Sequence, residues 1–174
     1  PAPPQALFEG ALTLAAAPRA LAFGPSDGKT GVDVQSPIVV WFSESLARSS
    51  VNLGSLGVRR VEGGGGVNRT VAFYNGDRCA VLVPISPLQA DAEYEVFASE
   101  GLHDLSGTRF VPPVNGVLAS FRTASATSGL KPQVVGSFPP AGAINVPHNS
   151  DVTVVFSKPV SYESAIANIR IEQV

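Results

Sequence analysis

Few side chains in this sequence of 174 residues have the types and spacing that catalysis requires. His103 and His148 are the two histidines, and neither has a second histidine at metal-ligand spacing, so we interpret both as surface or turn residues. No serine lies in a nucleophile-elbow motif or pairs with a histidine and an aspartate in the chain order of a known triad. We therefore predict no catalytic residues and expect that the chain is not an enzyme.

Cys79 is the single cysteine, which excludes an intrachain disulfide. It shares one face of a predicted strand with Val81 and Val83, and this pattern indicates a buried, inert thiol. An interchain disulfide is the alternative. The cysteine count by itself does not indicate a cellular compartment.

Three aspartates, Asp27, Asp33 and Asp104, lie in predicted turns that we expect to gather near the ends of a domain. Calcium binds several oxygen ligands, so these three carboxylates are the candidates for a Ca²⁺ site. Aspartate also caps turns by accepting hydrogen bonds from its own backbone, and we favour this second interpretation. We therefore predict no cofactor, with Ca²⁺ as the alternative.

The triplet Asn68-Arg69-Thr70 matches the N-glycosylation sequence and follows a run of four glycines at residues 63–66. Asn68 is a candidate glycosylation site if the protein passes through a eukaryotic secretory pathway, whereas in a bacterium the triplet carries little meaning. The glycine run predicts a flexible hairpin tip. A phosphate-binding loop would require a following helix and a Lys-Ser or Lys-Thr pair, and the sequence has neither.

Two aromatic side chains are predicted on the outer faces of strands. In residues 38–43 the alternation puts Ile38, Val40 and Phe42 on the core face and Trp41 on the opposite face. Phe97 faces outward in the same way within residues 93–98. Exposed aromatic rings stack on sugars or pack between domains, and cover from a loop or from the N-terminal segment is the alternative. The two rings are expected on opposite sheets, which argues against one joint site.

The elements that position these residues are short strands. Seventeen glycines and 15 prolines, with turn-forming clusters between apolar runs, are typical of many strands joined by tight turns. A helical pattern extends over at most one turn, at residues 161–165. The spacing predicts an all-β sandwich, with strands at residues 21–23, 38–43, 58–61, 70–74, 79–85, 93–98, 118–123 and 152–157, and a further short strand at 11–14.

An internal repeat sets the domain period. Phe42 and Phe156 are 114 positions apart, and the strand at residues 38–43 recurs at this offset. Turn residues match turn residues without a gap over some thirty positions, which is typical of a duplicated domain. The other matching pairs are Pro18 and Pro132, Pro25 and Pro139, Gly28 and Gly142, Val32 and Val146, Ser36 and Ser150, Ser43 and Ser157, and Ser50 and Ser164.

The repeat divides the chain into four segments. Residues 1–18 form a Pro- and Ala-rich extended segment or the end of a preceding domain, 19–124 a complete sandwich, 125–131 a linker, and 132–174 an incomplete second sandwich. Half a sandwich leaves its core face and strand edges open. We expect that the chain is a slice of a longer tandem array; the alternative is completion by strands of another molecule, with residues 11–14 as a candidate donor strand.

The order of several short motifs adds a resemblance to a known family. The motifs are, in chain order, Pro25-Ser26-Asp27-Gly28 with Val32, the strand at 38–43, Leu88 with Glu93-Tyr94-Glu95-Val96, the turn at 101–107, and Phe121-Arg122-Thr123. This order resembles bacterial Ig-like domains of the SbsA type, found in surface-layer proteins, adhesins and other large extracellular proteins. The resemblance covers about residues 19–124 and the first third of another copy. It implies an Ig-like antiparallel β-sandwich, one complete domain plus the start of a second, without a shared active site.

Composition and resemblance together predict a structural role. Only 15% of the residues are charged, the net charge is −2 and Arg59-Arg60 is an isolated basic pair, so we expect no nucleic-acid partner. No apolar run approaches the length of a membrane span, so we expect no membrane insertion. We predict an extracellular or cell-surface spacer whose partners are neighbouring repeats or other copies in an assembly. The alternatives are a glycan- or protein-binding adhesion module and an accessory domain of a secreted carbohydrate-active enzyme.

Overall fold

The computed structural model of the chain describes residues 16–125 and 131–172. The strand predicted at residues 11–14 lies outside the described residues. The first repeat contains eight strands, and the second contributes two strands and a short helix. The elements are β1 (Ala20–Gly24), β2 (Lys29–Val32), β3 (Ile38–Phe42), β4 (Leu56–Arg60), β5 (Arg69–Tyr74), β6 (Cys79–Pro84), β7 (Glu93–Ala98), β8 (Val117–Thr123), β9 (Val134–Phe138), β10 (Thr153–Phe156) and α1 (Tyr162–Asn168).

The first repeat is a sandwich of two four-stranded sheets. The first sheet has the strand order β1-β3-β6-β5 and the second has the order β2-β8-β7-β4. All neighbours are antiparallel except β2 and β8, which run parallel. The chain crosses from the first sheet to the second between β1 and β2. The predicted Ig-like antiparallel β-sandwich is therefore confirmed.

The core lies between the two sheets, as the alternation in β3 predicts. Ile38, Val40 and Phe42 are buried in this core. Inward-facing apolar side chains from the other strands of the first repeat pack around them. The aromatic ring of Phe121 stacks on Tyr94 with 5.6 Å between the ring centroids. Because this core is filled, the inner face of each sheet is occupied. Only side chains on the outer faces remain available for other contacts.

Two strands were not predicted from the sequence. β2 has the sequence Lys-Thr-Gly-Val, and only its last residue is buried, so it shows no apolar alternation. β9 contains Gly136 and lies in the region where the repeat restarts. The short helix α1 is seven residues long, and the Ser161 side chain caps it by accepting a hydrogen bond from the backbone N–H of Ser164.

The second repeat reproduces the beginning of the first at the same offset of 114 positions. β9 corresponds to β1 and β10 to β3, and the two strands pair antiparallel. In the first repeat the Ser43 hydroxyl accepts from Arg19 N at 2.9 Å, and in the second Ser157 accepts from Gln133 N at 3.0 Å. The duplication read from the sequence thus extends to individual hydrogen bonds.

Candidate functional site: the junction between the repeats

The histidines and acidic residues do not assemble into a polar site. His103 Nδ1 lies 3.0 Å from the carbonyl oxygen of Asp104, and His148 is exposed in a turn. Within residues 16–125 and 131–172, no three His, Cys, Asp or Glu side chains are grouped so that they could hold a metal ion. The same residues contain no helix that is long and apolar enough to cross a bilayer.

Two of the candidate calcium ligands already accept several hydrogen bonds, Asp104 within its own turn and Asp27 from Ser120 on β8. Asp27 Oδ1 accepts hydrogen bonds from the backbone N–H and hydroxyl of Ser120, and the bond from this backbone N–H is the main reason that the pKa of Asp27 is lowered. Asp104 Oδ1 accepts from Ser106 N, Ser106 Oγ and Thr108 N within 2.8 Å. Burial raises the pKa of Asp104, but the hydrogen bonds from Ser106 and Thr108 outweigh it, so its pKa is lowered overall. Calcium binding at these residues stays the alternative to the prediction of no cofactor.

Replacing Asp104 with alanine should lower the free energy of unfolding by about 2 kcal/mol at neutral pH, because its hydrogen-bond donors lose their acceptor. Leu105→Ala in the same turn is the control and should change it by less than about 0.5 kcal/mol, since that side chain is 72% exposed. A carboxylate with a lowered pKa stabilises the fold above its unfolded-state value of 3.8, and this contribution is lost as the pH falls through the lower folded-state pKa. Urea titrations should therefore show that the free energies of unfolding of the wild-type chain and of Asp104→Ala approach each other in acid. A constant difference between them down to the lowest pH would contradict this.

Asn68 is exposed at the end of the loop that precedes β5, so its side chain is accessible, and glycosylation there stays a prediction. The neighbouring Arg69 turns inward and donates from Nη2 to the carbonyl oxygens of Asn52 and Leu56. Burial lowers the pKa of Arg69. Residues 54–68 are not one open loop that could recognise a ligand, because they include β4 (Leu56–Arg60).

Phe97 is not a free aromatic platform. Its ring covers Gly57 on the neighbouring strand, where an added Cβ would lie 2.7 Å from the ring. The guanidinium carbon of Arg59 stands 5.4 Å from the ring centroid, and the Arg59 head group also forms an ion pair with Glu95 at 2.8 Å. Phe97 therefore takes part in local packing on the outer face of the second sheet and is only half-exposed.

The expectation that Trp41 is exposed is wrong, because only 3% of this residue is accessible to solvent. The alternation put it on the correct, outer face of the first sheet, but the second repeat covers that face. A Cβ added to Gly136 in β9 would lie 2.1 Å from Trp41 Cη2, so the indole occupies the space that any other residue would fill. Trp41 is thus a contact between the repeats.

A small second core surrounds Trp41. Val39, Trp41, Cys79 and Val81 are buried on the outer face of the first sheet, and Val135, Phe138 and Val155 of the second repeat pack against them. We call these seven residues the junction cluster. An outer sheet face rich in valine is normally covered by another element. The large apolar residues on both faces of β3 and β6 were therefore the signal in the sequence for this contact.

Polar contacts flank the junction cluster on two sides. Lys158 Nζ of the second repeat forms an ion pair with Asp33 Oδ2 of the first at 2.9 Å, with side chains that are 20% and 4% exposed. Asp33 Oδ1 accepts from the backbone N–H of Gln35, so the third candidate calcium ligand also has other partners. Asn75 Nδ2 lies 3.4 Å from Thr153 Oγ1. Sequence reasoning missed Lys158, because nothing in its neighbourhood along the chain points to Asp33.

The Cys79 thiol should react at least about 100-fold more slowly with a thiol reagent at pH 8 in the native chain than after unfolding in urea. Burial beneath the second repeat raises its pKa to about 11, from 9.0, and so suppresses the thiolate. A raised pKa also means that the native state loses stability as the pH rises above 9 towards 11. Colour release from an aromatic disulfide reagent measures this, and fast reaction of the native chain would contradict the burial. An interchain disulfide, which needs access to this thiol, is disfavoured for the same reason.

A groove of 620 Å³ runs beside the junction cluster. One wall is β10 with the residues that follow it, and the floor is the outer face of β6 with the end of β5. Its lining is mostly apolar and includes Tyr74, Val83, Ile85, Val154, Phe156 and Val160. No charged pair of acid and base lines it, so the groove offers packing surface rather than chemistry.

Comparisons with known proteins add a family. The model of the family described as bacterial Ig-like domain matches residues 15–123 and again residues 130–173. No curated protein matches the sequence.

Solved structures give weaker matches. Two crystal structures of the S-layer protein SbsC align at a TM-score of 0.47, with 14% and 15% identity, over 68% and 63% of this chain and 15% and 24% of theirs. PcoC, a methionine-rich copper resistance protein from Escherichia coli, aligns at 0.47 with 16% identity over 62% of this chain and 99% of its own. The chain thus spans less than a quarter of the S-layer chains it matches, and nothing about function follows from these alignments.

Proposed function

Because this chain belongs to the bacterial Ig-like domain family, we propose that it is a structural spacer in a large extracellular or cell-surface protein, such as a surface layer, a fibre, an appendage or an adhesin stalk. Its task would be to hold neighbouring domains at a fixed distance and orientation. The observation that carries the proposal is the buried junction cluster between the repeats. A spacer that only tethered its neighbours would not need such a contact.

The junction supports stiffness in two ways. The apolar cluster around Trp41 resists separation of the repeats, because opening it would return large apolar side chains to water. The ion pair between Asp33 and Lys158 fixes the orientation, because a largely buried charge pair tolerates little change in geometry. Together these contacts would make the two repeats move as one body.

Exposed aromatic rings were one of the features that could have supported the binding-module alternative. With Trp41 in the junction cluster and Phe97 beneath Arg59, neither ring has a free face of the kind that stacks on a sugar. The groove beside β10 is a concave surface that stays open, and its lining is mostly apolar. We therefore favour the spacer over the adhesion module and over the enzyme accessory domain.

Backbone ¹⁵N relaxation of the whole chain tests the spacer role. We expect one rotational correlation time for β1–β8 and for β9–β10, because the junction joins the repeats rigidly. Separate, faster reorientation of the second repeat would contradict the proposal. A glycan array probed with the same chain addresses the alternative, and saturable binding there would favour the adhesion module. Labelling of intact source cells with antibodies against the chain tests the surface location.

A further inference from the structure

The junction uses the same face on both repeats. β10 corresponds to β3, and the residue of β10 in the junction cluster, Val155, occupies the position of Trp41. Thr153, which contacts Asn75, occupies the position of Val39. The second repeat therefore meets the first through the outer face of the strands that correspond to β1 and β3, and the contact covers Trp41 on the first repeat.

The residues that make the contact differ between the two repeats. In each pair, the residue of the second repeat complements its partner in the first repeat in size or in charge. Trp41 is large and faces Gly136, whose counterpart in the first repeat is Ala22. Asp33 is acidic and faces Lys158, whose counterpart in the first repeat is Glu44. In each contact, the residue of the second repeat differs from the residue at the equivalent position of the first repeat.

From this we infer that the outer face of the first sheet is a selective pairing surface. It accepts a repeat with glycine at the position of Gly136 and a cation at that of Lys158, and it rejects a second copy of the first repeat. Two first repeats joined in this way would press Ala22 against Trp41 and bring Glu44 towards Asp33. The inference concerns which repeats pair, and it does not depend on the location or the spacer role of the chain.

Each of these two mismatches would be unfavourable for a physical reason. A Cβ at position 136 would come within 2.1 Å of the indole, and the backbone around Trp41 is fixed in the centre of a sheet. Two carboxylates at a site as buried as Asp33 would repel each other without solvent to screen them. Because the second repeat already covers Trp41, a further repeat cannot join the first repeat through the same contact.

The test converts two positions of the second repeat into those of the first, in the whole chain. Gly136→Ala and Lys158→Glu are each expected to open the junction, raising amide exchange in β9 and β10 by about tenfold to a hundredfold. In Lys158→Glu, acrylamide quenching of Trp41 should rise in parallel. Val134→Ala is the matched control on β9, where the side chain is exposed, and should leave exchange unchanged.

Rescue by changes in the first repeat distinguishes pairing from failed folding. Trp41→Val should restore protection of β9 and β10 in Gly136→Ala, and Asp33→Lys should restore it in Lys158→Glu. A second repeat that simply cannot fold would not respond to either change. The inference is overturned if Gly136→Ala and Lys158→Glu keep wild-type exchange, or if neither rescue restores protection. It can fail while the common correlation time of the repeats, and so the spacer proposal, still stands.

Discussion

Replacing Phe121 with alanine is expected to lower the free energy of unfolding of the first repeat by about 3–5 kcal/mol. The side chain is 2% exposed at the centre of the core, and its ring lies flat against Tyr94 at 5.6 Å. Truncation removes the transfer free energy of the ring and leaves a cavity that the two surrounding sheets cannot close. Urea unfolding followed by circular dichroism and by Trp41 fluorescence measures the loss.

Phe97→Ala is the matched control for that substitution. The same atoms are removed from β7, the neighbouring strand, but from its outer face, where the ring covers Gly57 and is partly in water. The expected loss is about 1 kcal/mol, because solvent replaces much of the lost contact. Equal losses for Phe121→Ala and Phe97→Ala would contradict the assignment of the core to the space between the sheets.

Removing the charge of Lys158 should cost about 3 kcal/mol in the stability of the junction. Lys158→Met keeps the aliphatic stem but leaves the Asp33 carboxylate, which is 4% exposed, without its cation. The cost comes from the unpaired buried charge rather than from the loss of a favourable pair. Amide exchange in β9 and β10, together with urea unfolding of the whole chain, provides the measurement.

The double variant Asp33→Asn with Lys158→Met separates these two contributions. Asparagine retains the Oδ1 acceptor for the Gln35 N–H and removes the charge, so most of the stability should return. If the double variant is as unstable as Lys158→Met, the unpaired charge is not the cause. Lys131→Met, at an exposed lysine of the linker directly before the second repeat, is the control for the loss of a positive charge and should have little effect.

The sequence predicted the faces of strands better than their surroundings. The alternation around Trp41 was sufficient to turn it away from the core, because side-chain direction in a strand depends only on local geometry. Its burial depends on Gly136, which is distant along the chain and has no side chain to suggest a contact. The repeat fixed the period and the equivalence of positions, but it does not indicate how two copies touch.

Short, polar elements were the other limit. β2 pairs with β8 through backbone hydrogen bonds, and three of its four residues are exposed, so no apolar pattern marks it. The Asp33–Lys158 pair was similarly hidden, because an ion pair between repeats leaves no periodicity in either. In contrast, the turn-capping interpretation of the aspartates follows from local chemistry, and Asp104 with its three donors fits it.

The parallel pairing of β2 with β8 gives the first repeat a particular response to tension. Gly28 N donates to Ser120 O and Ala124 N donates to Val32 O, both at 2.8 Å. Pulling on the chain at the start of β2 and at the end of β8 draws these two strands in opposite directions along their length. Their hydrogen bonds are then loaded in shear, all together rather than one after another. A domain with this geometry is expected to yield only when these bonds break together.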